Sequence, residues 1–190
     1  MDLTRWVSAH VGRESIVLAM HQPLTSLQLS KRVDLGHDRC MDTIGRLSER
    51  RVVECLNEPA NRHRLFWLTS VGRTIQAKAR KSRDQDPLPH DFPVVPWGVY
   101  GQVCSRHRSA VVRSLTEALQ PSTIRRRALH HNPALRMSAN NCRGVVKALL
   151  DLDLVSRIQL PRERHPRYEL TALGSQIRTL LLNAEAVPSR

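Results

Sequence analysis

Between residues 14 and 50 the apolar positions recur every three or four residues, the period of one helix face, and over Val52–Leu56 they alternate with polar ones, the period of a strand. Glu14–Met20 reads as the apolar end of a helix, and Pro23-Leu24-Thr25 as the start of a second one running to about Val33. Asp34-Leu35-Gly36 marks a tight turn before a third helix over His37–Arg50, whose Cys40, Ile44 and Leu47 share a face. Val52–Leu56 and Leu65–Leu68 form a predicted hairpin around the polar tip NEPANRHR. Thr69 then offers its hydroxyl as N-cap for a helix from Ser70 to about Ala79.

The pattern occurs twice. Shifting the chain by 102 residues gives ten identities in the 37 positions 40–76, among them Cys40/Cys142, Leu47/Leu149, Arg62/Arg164, His63/His165, Thr69/Thr171 and Gly72/Gly174. Between the copies, Pro87, Pro89, Pro93 and Pro96 exclude a helix or a central strand and predict an extended, semi-rigid connector. The expected organisation is therefore residues 1–83, a linker at 84–97, and residues 98–190. In the second copy, Tyr100, Val103, Cys104, Val111, Leu115 and Leu119 predict one long first helix, and Pro121-Ser122-Thr123 opens the next. Four extra residues around HHNPALRM predict a longer turn before a helix over Ser138–Leu150 with Ser138 as its N-cap.

Composition fits a globular protein: 41% of residues are hydrophobic and 25% charged. Lys and Arg number 30 against 17 Asp and Glu, a formal +13, and only Lys31, Lys78, Lys81 and Lys147 are lysines. A GC-rich genome favours arginine codons, but arginine also makes bidentate contacts to phosphate and to guanine edges, so an acidic partner is expected, with nucleic acid ahead of a membrane. Residues 1–97 hold 15 cations and 11 acids, a net +4, and residues 98–190 hold 15 and 6, a net +9. No apolar run is long enough to span a bilayer and the N-terminus does not read as a signal peptide, so a cytoplasmic, nucleoid-associated protein is expected. Cys40, Cys55, Cys104 and Cys142 show no CxxC spacing, and small buried hydrophobes are preferred for Cys40 and Cys142 over metal ligands or redox sensors. No Gly-rich phosphate loop, HExxH or Gly-x-Ser-x-Gly occurs, so no enzyme, cofactor or metal is expected.

The stretch IGRLSERRVVECLNEPANRHRLFWLTSVGRTI resembles the helix, strand, wing, strand and Leu-Thr-x-x-Gly helix start of the winged helix-turn-helix domains of MarR- and ArsR-like transcriptional regulators. The resemblance covers most of both copies and implies an α+β, mainly α chain of two tandem winged helix-turn-helix domains. It further implies a regulator that places a third helix in the major groove of double-stranded DNA and a wing on phosphate or in the minor groove; the metal-binding cysteine motif of the ArsR sensors is missing.

On that footing the candidate DNA-binding residues in the first copy are His37, Arg39, Asp42, Thr43 and Arg46 on the third helix, and Arg62, His63 and Arg64 on the wing. In the second copy they are Asn140, Asn141, Arg143 and Lys147 on the helix, and Arg162, Arg164, His165 and Arg167 on the wing. Asn suits adenine, Arg suits guanine, and fixed cations displace counterions from phosphate. Arg125 and Arg126, in a run with Arg127, either meet the backbone or form a solvated face. His37–Arg50 balances Arg39, Arg46 and Arg50 against Asp38, Asp42 and Glu49, whereas Ser138–Leu150 holds Arg143 and Lys147 and no acid. The second copy is thus expected to be the principal base reader, and the first to supply wing contacts, accept from cytosine through Asp38 or Asp42, or serve an interface. A replication initiator and a protein- or RNA-binding module are the alternatives on the same fold. Leu173, Ile177, Leu180, Leu181 and Leu182 on the last helix, like the long Val99–Leu119 helix, either support a homodimer or pack the copies together as a pseudo-dimeric monomer.

Overall fold

A computed structural model describes residues 2–58, 60–88, 90, 92–161 and 163–186. The chain is α+β and mainly α, and it divides into two compact units, Met1–Phe92 and Pro93–Ala186. Among the described residues no helix is long and apolar enough to cross a membrane.

The first unit runs α1 (Leu3–Ser8), α2 (Val11–Ala19), β1 (Leu24–Thr25), α3 (Ser26–Arg32), α4 (His37–Glu49), β2 (Val53–Cys55), β3 (Leu65–Leu68) and α5 (Ser70–Lys81). Its antiparallel sheet has the order β1-β3-β2, with Leu24 opposite Phe66 and Val53 opposite Leu68. The helix expected to begin at Pro23 instead begins at Ser26. Leu24 is buried and pairs as a strand, and Thr25 is extended, closing a reciprocal capping box with Gln28: Thr25 N–H donates to Gln28 Oε1 at 2.8 Å, and Gln28 N–H donates to Thr25 Oγ1 at 3.2 Å. A residue that both caps a helix and ends a strand gives no separate strand signal in two letters.

The second unit runs α6 (Trp97–Val103), α7 (Arg106–Ser114), α8 (Pro121–His131), α9 (Ala139–Asp151), β4 (Val155–Ile158), β5 (Arg167–Leu170) and α10 (Ala172–Glu185). The single helix expected over Val99–Leu119 is broken twice. Ser105 is extended between α6 and α7, and beyond Leu115 the chain leaves the helix so that Leu119 can pair with Tyr168 by two backbone hydrogen bonds of 2.9 and 2.8 Å. Tyr100, Val103, Val111, Leu115 and Leu119 are all buried nonetheless, because two short helices and an extended segment present the same stripe that one rod of about 30 Å would carry past a small core.

The repeat is visible at the backbone. Val155 pairs with Leu170 as Val53 pairs with Leu68, and Leu119 meets Tyr168 as Leu24 meets Phe66. Arg51 and Asp153, equivalent positions, both adopt the left-handed region, with φ of 55° and 56°. Each precedes a strand that is clamped by the Leu-Thr-x-x-Gly motif. Thr69 Oγ1 accepts from Gly72 N–H at 3.1 Å and donates to Arg51 O at 2.6 Å; Thr171 Oγ1 accepts from Gly174 N–H at 3.1 Å and donates to Asp153 O at 2.8 Å. A Cβ on Gly72 would lie 2.1 Å from Val52 O, and one on Gly174 2.1 Å from Leu154 O, so only glycine lets the helix approach the strand this closely. The motif therefore fixes the base of each hairpin to the helix that follows it.

The described residues of the expected connector carry no helix or strand between α5 and α6, and two of them are anchored: the rings of His90 and Phe92 stand edge-on to Trp67 at 5.4 and 5.1 Å.

Candidate functional site

In the second unit Ser138 Oγ accepts the Asn141 N–H at 3.1 Å, which starts α9 one residue later and fixes its rotation. Cys142, Val146 and Leu149 are buried, so Asn140, Asn141, Arg143 and Lys147 face solvent. Arg143 donates to Asn140 Oδ1 at 3.0 Å, leaving the Asn141 amide exposed beside the pair. Gly144 follows, with nothing within 4 Å of its Cβ position, so the backbone is bare between Arg143 and Lys147. The helix reaches Asp151, one residue beyond the expected end, and that acid pairs with Lys147 at 3.2 Å. Lys147 is thus a half-neutralised cation where the sequence suggested a free one.

A cleft of about 420 Å³ lies between the start of α8, the exposed side of α9 and the β4–β5 hairpin. Its walls bring three expected residues together, Arg143, Lys147 and His165, alongside Ser122 and Tyr168. Residues some twenty apart in sequence converge there because β5 returns alongside β4 directly after α9.

The hairpin itself divides its cations by task. Arg164 and His165 are exposed at the tip. Arg167 is held by Glu163, with Nε donating at 2.9 Å and a terminal nitrogen at 2.5 Å to its two carboxylate oxygens. Hydrogen bonding from Arg167, with help from Gln120, holds the Glu163 carboxyl below its ordinary range. Arg167 is therefore a latch that ties the start of β5 to the hairpin loop. Arg162 lies outside the described residues. Arg157, exposed on β4, adds a cation that a strand-interior position did not single out.

Of the arginine run on α8, Arg126 is exposed and, among the described residues, carries no ion pair or hydrogen bond. Arg125 is half-buried and donates through Nε to Met137 O at 2.7 Å, tying down the long turn. That turn spans seven residues, 132–138, against four, 33–36, in the first unit, and Leu135 and Met137 plug it into the core. Arg127 is taken by Glu117 and Thr116. This bond engages only the Nε of Arg125 and fixes the direction of its guanidinium.

The first unit presents a different surface. His37, Arg39, Asp42 and Arg46 are exposed on α4, with Asp38 and Glu49 among them, and His37 Nε2 lies 3.1 Å from Ser26 Oγ. Thr43 is not on that face: it is buried, and its hydroxyl donates to Arg39 O at 2.7 Å, so it is removed from the candidate contacts. It sits beside Ile44 at the edge of the apolar stripe, and a threonine there spends its one donor on its own helix. At the hairpin tip Arg62 and His63 are exposed, His63 with φ of 53°, while Arg64 pairs with Glu58 at 2.7 Å. Buried Asn57 holds the tip, donating to His63 O at 3.1 Å and accepting from Leu65 N–H at 2.8 Å. Among the described residues no group of three or more His, Cys, Asp or Glu is placed to hold a metal ion.

No family model matches the chain, and no curated protein is similar to it. Among solved structures it is similar to the DIP2311 protein from Corynebacterium diphtheriae over 85% of this chain, with 14% identity and a TM-score of 0.26, and it spans only 26% of that chain. At that score the likeness carries no argument about fold or activity.

Proposed function

We propose that this protein is a tandem winged helix-turn-helix protein that binds double-stranded DNA with sequence preference and acts as a transcriptional regulator, its second unit being the base reader. The observation that carries this reading is that Arg143 and Lys147, from the exposed α9 row that also holds Asn140 and Asn141, face His165 of the hairpin across one cleft. A helix exposing amides and a guanidinium beside bare backbone at Gly144 suits the major groove, where Asn reads adenine and Arg reads guanine. Arg164, unpaired among the described residues, and His165 suit the adjacent phosphates, where each fixed cation releases condensed counterions. The element order in both units, four short helices, a hairpin and a clamped final helix, supports the winged-helix reading.

The first unit is assigned a supporting part. Its α4 and the cap that ends it expose Asp38, Asp42 and Glu49 among Arg39, Arg46 and Arg50, a balanced set of charges that favours a protein contact or acceptance from cytosine amines as its part in base reading.

Selection of bound sequences from a random duplex library, followed by titration of the winning site, tests the reading. Asn141→Ala and Arg143→Ala should each cost about 1–3 kcal/mol and relax the preference at one position. A folded protein with no affinity for duplex DNA in dilute buffer, or a preference that survives the double substitution, refutes it.

A further inference from the structure

The first unit contains a cluster of cations, two of which, Arg13 and Arg50, are not among the candidate DNA contacts. Arg13 on α2 and Arg50 at the end of α4 both lie over the indole of Trp6 on α1, with guanidinium carbons 3.9 and 4.4 Å from the ring centroid. The ring therefore holds the two charges no more than about 8 Å apart. Arg46 stands one helical turn before Arg50 and adds a third like charge on the same side of α4. Repulsion from both, after burial, depresses the Arg13 pKa, so the three are electrostatically in reach of one another.

Among the described residues no acid forms an ion pair with any of the three. Glu14, the neighbour of Arg13, is taken by Arg83 at 2.7 Å. Asp42 and Glu49 are exposed on α4, yet among the described residues neither forms an ion pair with any of the three. The Arg13 Nε is buried and, among the described residues, has no hydrogen-bond partner. A buried donor left open costs stability, and stacked like charges cost more, unless an anion completes the group. Planar guanidinium forks are suited to the oxygens of a tetrahedral oxyanion.

We propose that Arg13, Arg46 and Arg50, with Trp6 as their platform, form an oxyanion site that takes a phosphate group. The site stands apart from base reading by the second unit, so either can fail without the other. The phosphate comes from a free anion or from a nucleic-acid backbone, and the test separates these sources.

Nitrogen–proton NMR spectra of the full chain report the Trp6 indole, identified by its loss in Trp6→Phe, and the Arg13 Nε–H. Inorganic phosphate, titrated against chloride at matched ionic strength, should shift both signals saturably. Arg46→Gln and Arg50→Gln, at exposed positions, should weaken that response at least fivefold each while the remaining spectrum stays that of the folded chain. If a duplex moves Trp6 and inorganic phosphate does not, the group belongs to nucleic acid, and Arg50→Gln should flatten the log affinity against log salt slope by about 1. The proposal is overturned if neither ligand moves Trp6, or if the phosphate response is unchanged in the Arg46→Gln and Arg50→Gln double variant.

Discussion

Glycine to alanine substitutions at four positions should change stability with opposite signs, and the structure assigns each sign. At Gly72 an added methyl would meet Val52 O at 2.1 Å, with Leu68 side-chain atoms at 3.1 and 3.2 Å; the backbone oxygen cannot rotate aside. Val52 O also accepts the Thr69 N–H at 3.1 Å, so moving α5 away from it disturbs the helix cap as well. Overpacking of this kind costs about 1–3 kcal/mol and a disturbed cap about 0.5–2 kcal/mol, against a gain in helix propensity of about 1 kcal/mol. The net is a loss of about 2 kcal/mol, or about 8–16 °C in the melting temperature of a unit this size. Gly174→Ala meets Leu154 O at the same 2.1 Å and should do the same to the second unit. Gly45 and Gly144, in the middle of α4 and α9, have nothing within 4 Å, so alanine there should add about 0.5–1 kcal/mol through helix propensity alone. Urea unfolding followed by circular dichroism, with the midpoints compared at constant slope, reads all four. A Gly72→Ala protein as stable as the parent, or a Gly45→Ala protein that unfolds earlier, refutes the packing argument. Gly144→Ala carries a second readout, since a methyl between Arg143 and Lys147 should lower duplex affinity even as it raises the midpoint.

Other outcomes follow from how individual cations are engaged. Arg164→Ala should weaken binding to all duplexes alike and reduce the salt slope by about 1, whereas Arg167→Ala, already paired with Glu163, should loosen the hairpin and leave that slope nearly unchanged; equal slopes for the two variants would contradict the division. Because Arg167 depresses the Glu163 pKa, the latch is fully formed above the ordinary glutamate pKa of about 4.3 and is lost as pH falls through the lower folded value. Carbon NMR should find Glu163 titrating below the normal range, and returning to it in Arg167→Ala. Asn57→Ala strands the Leu65 N–H and the His63 carbonyl and should cost the first unit about 1–3 kcal/mol by urea unfolding, without lowering the stability of the second. Burial pushes the Cys40 thiol up to about 11 and raises Cys142 too, so in the folded chain at pH 8 both should resist a disulfide reagent that labels them at once in denaturant.

The letters of this chain suffice for much of its regular structure and for the duplication. Leu65–Leu68, Thr69 and the two Thr-x-x-Gly motifs stand where periodicity and capping chemistry put them, because a hydroxyl three residues before a backbone N–H is a local relation. The exposed row Asn140, Asn141, Arg143 and Lys147 was legible for the same reason, since Cys142, Val146 and Leu149 define the opposite side of the helix. Relations that join distant segments were not. The pairing of Leu24 with Phe66, the breaks that let Leu119 reach Tyr168, the burial of Thr43 and the use of Arg125 on Met137 O each depend on what another element offers in space. Charge is the sharpest case. Arg164, Arg167, Arg13 and Arg50 are one letter in the sequence, but one is exposed with no ion pair among the described residues, one is latched and two share an indole, because an arginine's task is set by the partners within its reach and only the folded chain supplies them.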